Sequence, residues 1–299
     1  MKVFITGATG RLGKVIVKDF LDEGHEVIAL VRNEEKKEEL KNVIAFIGDL
    51  SSKKVLERGI KDCDVVVHCA SLINYKDWES LKKTNIDGTR NILEVCRNYP
   101  IARFVYISST AVYGNMNFAN ELTPPNPSDL YGKSKLEAEN VVGEFFSEVP
   151  STILRPSIIY GPTYFSSFSK LIDLASKGKL PIIGDGKNVI PLVHAKDVSL
   201  AVKRAIQTDF SIGKVYIINE NLTETQEEII NFLYEILGVK SKPIKIPSFL
   251  VRFFMKEEEF NALSRHRILE NSLAKKELKW IPKFNVYDGL RDMLENKIF

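Results

Sequence analysis

The chain has 299 residues, of which 44% are hydrophobic and 27% charged, with a formal net charge of +3 at pH 7. This is the composition of an ordinary globular protein with one or two domains. The small charge argues against a nucleic-acid partner, and no apolar run approaches the ~20 residues of a membrane span. Three cysteines without metal-site spacing are interpreted as buried thiols of a cytoplasmic protein without a metal: Cys63, Cys69 and Cys96.

Strand and helix patterns alternate through the first half of the chain. β-Prone apolar runs predict strands over 2–6, 26–31, 43–47, 64–69, 103–108 and 152–154. Helical spacing predicts helices over 12–22, 52–60, 78–97 and 131–146. Apolar strands that alternate with helices indicate an α/β fold, a doubly wound parallel sheet of Rossmann type. Because the first strand begins at Lys2, no signal peptide is expected.

After Pro156 the elements become shorter and are separated by glycine and proline. Strands near 191–194 and 214–218 are expected to return to the sheet. Thr225 and Glu228 predict a capping box that opens a helix over 227–237. Further helices are predicted over 249–263, 272–278 and 286–295. We predict a dinucleotide-binding domain over 1–162, with its sheet completed by segments near 189–219, and a smaller, mostly helical substrate lobe over 163–299.

Three glycines separate the first predicted strand from the first predicted helix. Glycine would weaken either element, so these residues indicate a ligand that approaches the backbone closely. Free N–H groups and the helix dipole favour a phosphate at a helix N-terminus. We therefore predict a dinucleotide-binding turn, whose cofactor-binding residues are Thr6, Gly7, Gly10, Arg11, Leu12 and Gly13.

The end of the second predicted strand distinguishes the two nicotinamide cofactors. A carboxylate at this point would bind the ribose 2′-hydroxyl of NAD(H). The chain reads EVIALVRN, which offers Arg32 and no acid. A guanidinium binds a 2′-phosphate in bidentate fashion, so NADP(H) is the preferred cofactor, with Arg32 as its main contact and Arg11 as a second. The alternatives are a plain surface arginine and NAD(H).

The stretches SSTAVYG and YGKSK carry the predicted chemistry. Tyr131 and Lys135 are four residues apart at the start of a helix, so both side chains share one face. A nearby ammonium is expected to lower the pKa of the phenol and make it an acid/base at neutral pH. A serine at the end of the fifth strand would hydrogen-bond the substrate oxygen.

Together these motifs resemble the extended short-chain dehydrogenase/reductase superfamily, also described as the NAD-dependent epimerase/dehydratase group. The TGATGRLG turn is similar to its TGxxGxxG, and YGKSK supplies its YxxxK pair. TNIDGTRNIL, RPSIIYGP, LVHAKDV and KELKWIPKF resemble further motifs in the same order, so the resemblance covers nearly the whole chain.

The resemblance implies roles for further residues. Alignment to the family's serine motif gives Ser109 as the catalytic serine beside Tyr131 and Lys135, with Ser108 as the fallback. His68 is interpreted as a packing histidine. Asp49 fits the family position that faces adenine, and a surface turn aspartate is the alternative interpretation of this residue. The remaining cofactor contacts that the resemblance implies are Asp49, Leu50, Cys69, Ala70, Ser71, Asn85 and Pro156, together with Tyr131 and Lys135.

Three departures from family motifs bear on the substrate. Thr110 and Ala111 replace the Asp-Glu pair of the dehydratases, so dehydration is not expected. Ile190 and Pro191 stand where many nucleotide-sugar enzymes carry an arginine. PIIGDGKN is similar to dihydroflavonol reductase-like and 3β-hydroxysteroid dehydrogenase-like members, which implies a more apolar substrate. We predict an NADP(H)-dependent oxidoreductase acting on a small-molecule carbonyl or alcohol.

Two alternatives remain open at this point. One is a sugar-nucleotide epimerase or reductase, in which Lys187 or Arg265 and Arg267 would contact phosphate. The other is a non-catalytic protein that senses NADP. A homodimer through the helices over 78–97 and 131–146 is expected. The apolar stretch FLVRFFMKEEEF from Phe249 predicts closure of the pocket or packing on another subunit, and membrane attachment is less favoured, so no membrane partner is expected.

Overall fold

The structure is a computed structural model that describes residues 1–220, 224–253 and 257–297. A seven-stranded sheet runs through it in the order β11-β7-β5-β4-β1-β2-β3, with every neighbouring pair parallel. These strands, numbered by chain position, are β1 (Lys2–Thr6), β2 (Glu26–Val31), β3 (Ile44–Ile47), β4 (Val65–His68), β5 (Arg103–Ile107), β7 (Ser151–Pro156) and β11 (Lys214–Ile218). The predicted doubly wound α/β fold is confirmed.

Helices cover both faces of the sheet. In the first part of the chain they are α1 (Arg11–Asp22), α2 (Glu34–Glu38), α3 (Lys53–Ile60), α4 (Trp78–Leu81), a π-helical turn (Lys82–Asp87), α5 (Gly88–Cys96) and α6 (Leu130–Glu144), and α8 (Ala195–Gln207) follows later. Strand residues alternate between the faces. Val3 and Ile5 pack with α1 and α8 on one face, whereas Phe4 packs with α3, α5 and α6 on the other. The sheet is therefore buried on both sides.

The shorter elements form three separate two-stranded pairs. They are β8 (Ile158–Tyr160) with β10 (Leu192–His194), β9 (Ile182–Ile183) with β12 (Lys245–Ile246), and β6 (Phe118–Ala119) with β13 (Ile268–Leu269). The expectation that both later strands return to the sheet is wrong for 191–194. Strand β11 pairs with β7 along its whole length, from Lys214 to Ile218, so β10 pairs instead with the chain beyond Pro156.

The remaining helices surround the shorter strands. They are α7 (Phe165–Ser176), α9 (Gln226–Ile236), α10 (Ser248–Val251), α11 (Glu257–Ser264), α12 (Ser272–Glu277) and α13 (Val286–Glu295). The Thr225–Glu228 capping box is present at the start of α9. One continuous helix over 249–263 is wrong: α10 ends at Val251, α11 begins at Glu257, and 254–256 lie outside the described residues. The domain boundary at 162 stays a prediction.

A buried tryptophan joins the C-terminal segment to the sheet layer. Trp280 is fully buried, and its Nε1 donates to the Asp197 carbonyl in α8 at 2.9 Å. The Asp197 carboxylate accepts from the backbone N–H groups of Lys283 at 2.8 Å and Phe284 at 3.0 Å. These bonds fix the chain that leads into α13 against α8.

We expect Trp280→Ala to lower the free energy of unfolding by ~3–5 kcal/mol, because it leaves a large cavity in the core. Urea denaturation measures this change. Trp78→Ala is the matched control, since Trp78 is only half-buried and the chain has no other tryptophan. An equal loss of stability in the two variants would contradict the assigned role of Trp280.

Candidate active site

The turn between β1 and α1 passes so close to neighbouring backbone that it has no room for side chains. Gly7 has a φ of +71°, and a Cβ built there would lie 2.7 Å from the Ala70 nitrogen. A Cβ at Gly13 would lie 2.0 Å from the Gly7 carbonyl oxygen. Gly10, the N-cap of α1, supplies no capping side chain, and no acid lies in the first turn. The helix N-terminus is therefore suited to an anion.

A cavity of about 400 Å³ opens above this turn. It brings together most of the predicted cofactor and catalytic residues, namely Gly7, Gly10, Arg11, Leu12, Gly13, Cys69, Ser71, Ser109, Tyr131, Lys135 and Pro156. These residues come from the ends of β1, β4, β5 and β7 and from the first turns of α1 and α6. The carboxyl ends of parallel strands thus build one cleft, as expected for a doubly wound sheet.

Thr6 supports the glycine turn from below. Its hydroxyl lies 2.6 Å from His68 Nδ1 and accepts from the Ala70 N–H at 3.2 Å. His68 Nε2 lies 3.0 Å from the Thr89 hydroxyl. Burial lowers the pKa of His68 to about 3, so the imidazole is neutral. The imidazole lies between the hydroxyls of two threonines, which agrees with its interpretation as a packing histidine.

Asn85 is buried behind the cavity wall, within the π-helical turn. Its Nδ2 donates to the Leu72 carbonyl at 3.0 Å and to Ser134 Oγ at 2.9 Å, and its Oδ1 accepts from the Leu72 N–H at 2.7 Å. Ser71 Oγ lies 3.2 Å from the same oxygen. Asn85 therefore holds the loop after β4 against α6, a positioning role that places Ser71 in the cavity.

Three predicted adenosine contacts lie near the ends of β2 and β3. Arg32 is exposed at the end of β2. Asp49 Oδ1 accepts from the Ser51 N–H at 2.9 Å, and the hydrogen bonds from Ser51 and Ser52 hold the Asp49 pKa below its ordinary value. Leu50 packs on α5, where a Cβ at Gly88 would lie 2.7 Å from its Cδ1. The Asp49 carboxylate therefore closes a turn, the alternative role considered for it.

Tyr131 and Lys135 lie one turn apart at the start of α6 and line the same cavity. The helix begins at Leu130, where its N-cap Asp129 accepts from the Gly132 N–H at 2.7 Å. Lys135 is 1% exposed, and its Nζ donates to the Ile107 carbonyl at 2.7 Å. Burial lowers the pKa of Lys135 to about 7, so a large fraction of this amine is uncharged at neutral pH.

The expected lowering of the phenol pKa is not what this arrangement produces. Burial raises the pKa of Tyr131 to about 12, and the adjacent Tyr75 adds to the rise. Hydrogen bonds from Ser109 and Ser71 oppose it only in part. The physical reason is desolvation, which disfavours the charged forms of both Tyr131 and Lys135. At neutral pH Tyr131 is therefore a protonated phenol.

Ser109, rather than the fallback Ser108, is placed to act with Tyr131. It follows β5 and lines both the first cavity and its neighbour together with Tyr131. Its Oγ also accepts from the Ala111 N–H at 3.1 Å. The Ser108 hydroxyl instead donates to the buried Glu139 carboxylate. Arg155 pairs with the same carboxylate, with Nε 2.9 Å from Oε1, so Ser108 belongs to a buried ionic network.

A second cavity of about 380 Å³ meets the first at Tyr131, Ser109 and Tyr75. Two arginines line it, Arg265 and Arg267. Arg265 donates to the Asn115 side chain and Arg267 to the Gly114 carbonyl. Burial lowers the pKa of Arg267, and the charge of Arg265 adds to this effect. Asp129 lines the same cavity, so two guanidinium groups and one carboxylate lie near the predicted catalytic residues.

Arg265 and Arg267 were expected from the sequence only as phosphate contacts of a sugar-nucleotide enzyme, and Lys187, the other residue considered, does not line this cavity. Strand β13 pairs with β6, and this brings the chain just before β13 beside Gly114 and Asn115. Pro191, which stands where many nucleotide-sugar enzymes carry an arginine, also lines the cavity. Tyr75 was missed altogether, although its ring centroid lies 6.1 Å from that of Tyr131 in an edge-on arrangement. The one sequence feature that could have indicated a role for Tyr75 is its position shortly after the fourth predicted strand.

Residues 3–219 match the model of the NAD dependent epimerase/dehydratase family. The chain belongs to this family. It is therefore a member of the extended short-chain dehydrogenase/reductase superfamily, and its relatives include a dehydrogenase, a reductase and an epimerase. The protein is an enzyme of the oxidoreductase or epimerase type.

Three curated relatives span this range of activities. A decarboxylating sterol-4-alpha-carboxylate 3-dehydrogenase from Dictyostelium discoideum is 32% identical over 221 residues, covering 69% of this chain and 67% of the relative. A 2-alkyl-3-oxoalkanoate reductase from Stenotrophomonas maltophilia is 26% identical, covering 80% and 76%. A UDP-glucose 4-epimerase from Vibrio cholerae is 26% identical, covering 97% and 93%.

Solved structures of the family share this fold. The UDP-glucuronic acid 4-epimerase from Bacillus cereus, solved in complex with NAD, superposes with a TM-score of 0.83 at 24% identity, covering 99% of this chain and 98% of that one. Among the described residues, no helix has the length and apolarity needed to cross a membrane. In that same part of the chain, no group of three or more His, Cys, Asp or Glu side chains is arranged to hold a metal.

The buried amine of this family member makes stability depend on pH. The pKa of Lys135 is about 7 in the folded protein, whereas the ordinary value is 10.5. Between these two pH values the amine is protonated in the unfolded chain and mostly neutral in the folded protein, so the free energy of unfolding rises with pH. Lys135→Met removes this contribution. We expect the free energy of unfolding of the wild type, relative to that of K135M, to increase from about pH 7 to about pH 10 in urea denaturation.

Lys133→Met is the control, because Lys133 lies on the exposed face of the same helix. Its pH dependence should follow that of the wild type. Parallel curves for the wild type and K135M would show that Lys135 keeps its ordinary pKa in the fold.

Proposed function

We propose that this protein is an NADP(H)-dependent oxidoreductase that moves hydride to or from a carbonyl or secondary alcohol carbon, with Tyr131 as the acid/base. The observation that carries the proposal is the junction of the two cavities at Tyr131 and Ser109. The glycine turn fits a dinucleotide phosphate, because a Cβ at Gly7 or Gly13 would fill the space. The bound nicotinamide would supply the hydride.

The protonation states favour carbonyl reduction. With a pKa of about 12, Tyr131 holds its proton at neutral pH and can donate it to the oxygen of a ketone. Ser109 lines the cavity beside Tyr131 and would donate a hydrogen bond to the same oxygen. Lys135, one turn further along α6, lies against Ile107 at the cavity floor and can assist the return of the proton.

The end of β2 supports a preference for NADP(H). Arg32 is exposed there, and the next residue, Asn33, caps α2 by accepting from the Lys36 N–H at 2.9 Å. Glu39, an acid close to this region, is paired with Lys14 at 3.0 Å and with Lys36. A 2′-phosphate would therefore meet Arg32 without a free carboxylate from Glu39 to repel it. NAD(H) is the alternative cofactor.

Arg265 and Arg267 favour a substrate with a negative charge, whereas the sequence motifs favoured an apolar substrate. The names of two relatives place the reacting carbon at the β position to a carboxylate: carbon 3 of a sterol 4-carboxylate, and carbon 3 of a 3-oxoalkanoate. Arg265 and Arg267 line the cavity that begins at Tyr131 and are suited to such a carboxylate. We therefore infer a ketone or secondary alcohol that carries a carboxylate nearby.

A sugar-nucleotide epimerase or reductase is the second candidate, because the same two guanidiniums suit a diphosphate. The likeness to the Vibrio cholerae epimerase extends over nearly the whole chain. Epimerisation of a UDP-sugar without net cofactor change would identify this activity. The homodimer through α4, α5 and α6 and the cytoplasmic location stay predictions.

We expect Tyr131→Phe to lower kcat by ~10²–10⁴-fold, because the variant has no proton to exchange with the substrate oxygen. Cofactor affinity, measured by NADPH fluorescence, should remain within about twofold of the wild type. The control is Tyr164→Phe, which changes a phenol in the wall of the same cavity. Retained turnover of a 3-oxo acid by Y131F would refute the proposed acid/base.

We expect the wild type to bind NADPH more tightly than NADH. Arg32→Ala should weaken NADPH binding by ~10–100-fold and leave NADH unchanged, because a charge-assisted contact to the 2′-phosphate is lost. Titration calorimetry with both cofactors measures this difference. Arg58→Ala, an exposed arginine on α3, is the control. Equal or tighter binding of NADH by the wild type would reject the NADP(H) preference.

We expect Arg265→Ala and Arg267→Ala to raise KM for a 3-oxo acid by about tenfold or more, because a charge-assisted contact to the carboxylate is lost. The KM for the corresponding neutral amide should not change. Arg291→Ala, on an exposed position of α13, is the control. Equal KM increases for the acid and the amide would show that the arginines act only through the fold.

A further inference from the structure

The chain from 240 to 253, here called the 240–253 face, combines exposed basic and exposed apolar side chains. Its basic residues are Lys240, Lys242, Lys245 and Arg252, and the sequence has no Asp or Glu between Glu235 and Glu257. Its large apolar side chains are exposed to unusual extents: Ile244 71%, Phe249 63%, Leu250 42% and Phe253 82%. The proposed redox reaction uses none of these residues.

The backbone holds this face in place. Ile182 N–H donates to the Ile244 carbonyl at 3.0 Å, and Gly184 N–H donates to the Ile246 carbonyl at 2.8 Å. Val251 points inward at 8% exposure and anchors α10. Because one side of this short helix is anchored, its other large apolar side chains point away from the protein. Phe249, Leu250 and Phe253 line neither cavity, and because 254–256 lie outside the described residues, closure of the pocket by the whole stretch from Phe249 stays a prediction.

We propose that the 240–253 face docks on the surface of a membrane that contains anionic phospholipid. Phe249, Phe253 and Ile244 would enter the headgroup region, while Lys240 and Lys242 would contact phosphates. An apolar cluster bordered by basic residues is the pattern of interfacial binding without a spanning helix. This inference rests on the face alone and not on the proposed reaction, and it revises the expectation of no membrane partner.

Charge favours lipid over a second copy of this chain. A symmetric dimer through this face would place the basic residues of one subunit near those of the other, which is repulsive. The amine of Lys245 lies 2.7 Å from Glu227 Oε2, so this lysine is already neutralised within the subunit. Lys179, which is exposed next to Gly178 and its neighbour Ser241, adds a further positive charge. An anionic surface would pair with Lys179, Lys240 and Lys242 together.

The face also adjoins the substrate cavity along the chain. Helix α11 follows it, and Asn261 in that helix lines the cavity together with Arg265.

Co-sedimentation of the full chain with vesicles tests the proposal. Vesicles of phosphatidylcholine alone are compared with equimolar phosphatidylcholine and phosphatidylglycerol. We expect binding to the anionic vesicles, reduced by about tenfold in Phe249→Ser/Phe253→Ser and in Lys240→Gln/Lys242→Gln. The controls are Phe210→Ser, which changes another exposed phenylalanine, and Lys41→Gln/Lys61→Gln, which removes the same net charge elsewhere.

The proposal is overturned if the wild type does not sediment with anionic vesicles, or if the control variants lose as much binding as the face variants. It is also overturned if F249S/F253S converts a dimer to a monomer in analytical ultracentrifugation, since the face would then bind a second copy. Activity on soluble substrates should be unchanged in all four variants, which separates this test from that of the reaction.

Discussion

Gly13 lies so close to Gly7 that even a methyl group does not fit between them, and this close approach determines how the cleft is built. A Cβ at Gly13 would lie 2.0 Å from the Gly7 oxygen, and one at Gly7 would meet the backbone of Ala70. The tight turn brings the N-terminus of α1 to the carboxyl ends of the strands. An anion bound there gains the helix dipole and free N–H groups. The cavity that ends at Tyr131 begins at this turn.

At the predicted catalytic pair, the effect of desolvation on the two pKa values outweighs that of the local arrangement of charges. Tyr131 and Lys135 are one turn apart, yet burial raises the pKa of the phenol to about 12 and lowers that of the amine to about 7. Both groups are therefore shifted toward their neutral forms. The Ile107 carbonyl satisfies the amine with a direct hydrogen bond. Such a site holds a proton on oxygen, which suits donation to a substrate more than removal from it.

Much of the fold could be predicted from the sequence, because its signals are local. The bounds of the strands over 2–6 and 26–31 and of the helix over 286–295 are confirmed, and so is the Thr225–Glu228 capping box. These follow from apolar periodicity and capping chemistry within a few residues. Most of the predicted site residues also line one cavity, because the family motifs assign them to the carboxyl ends of neighbouring strands and to the helices that follow.

The rest depends on contacts between distant parts of the chain. Pairing of β6 with β13 brings Arg265 beside Asn115, and no local pattern predicts that register. Strand β10 pairs with β8 because β11 already occupies the edge of β7. The pKa of Tyr131 depends on how deeply packing buries it, which spacing along one helix does not determine.

The origin of the two cationic side chains in the second cavity has an evolutionary consequence. They come from the chain just before β13, far from the segments that carry the turn, the serine and the phenol. In the proposed function, substitutions in this short stretch would change which substrate binds, while Ser109, Tyr131, Lys135 and the glycine turn stay the same. The range of substrates can then diverge without loss of the cofactor site.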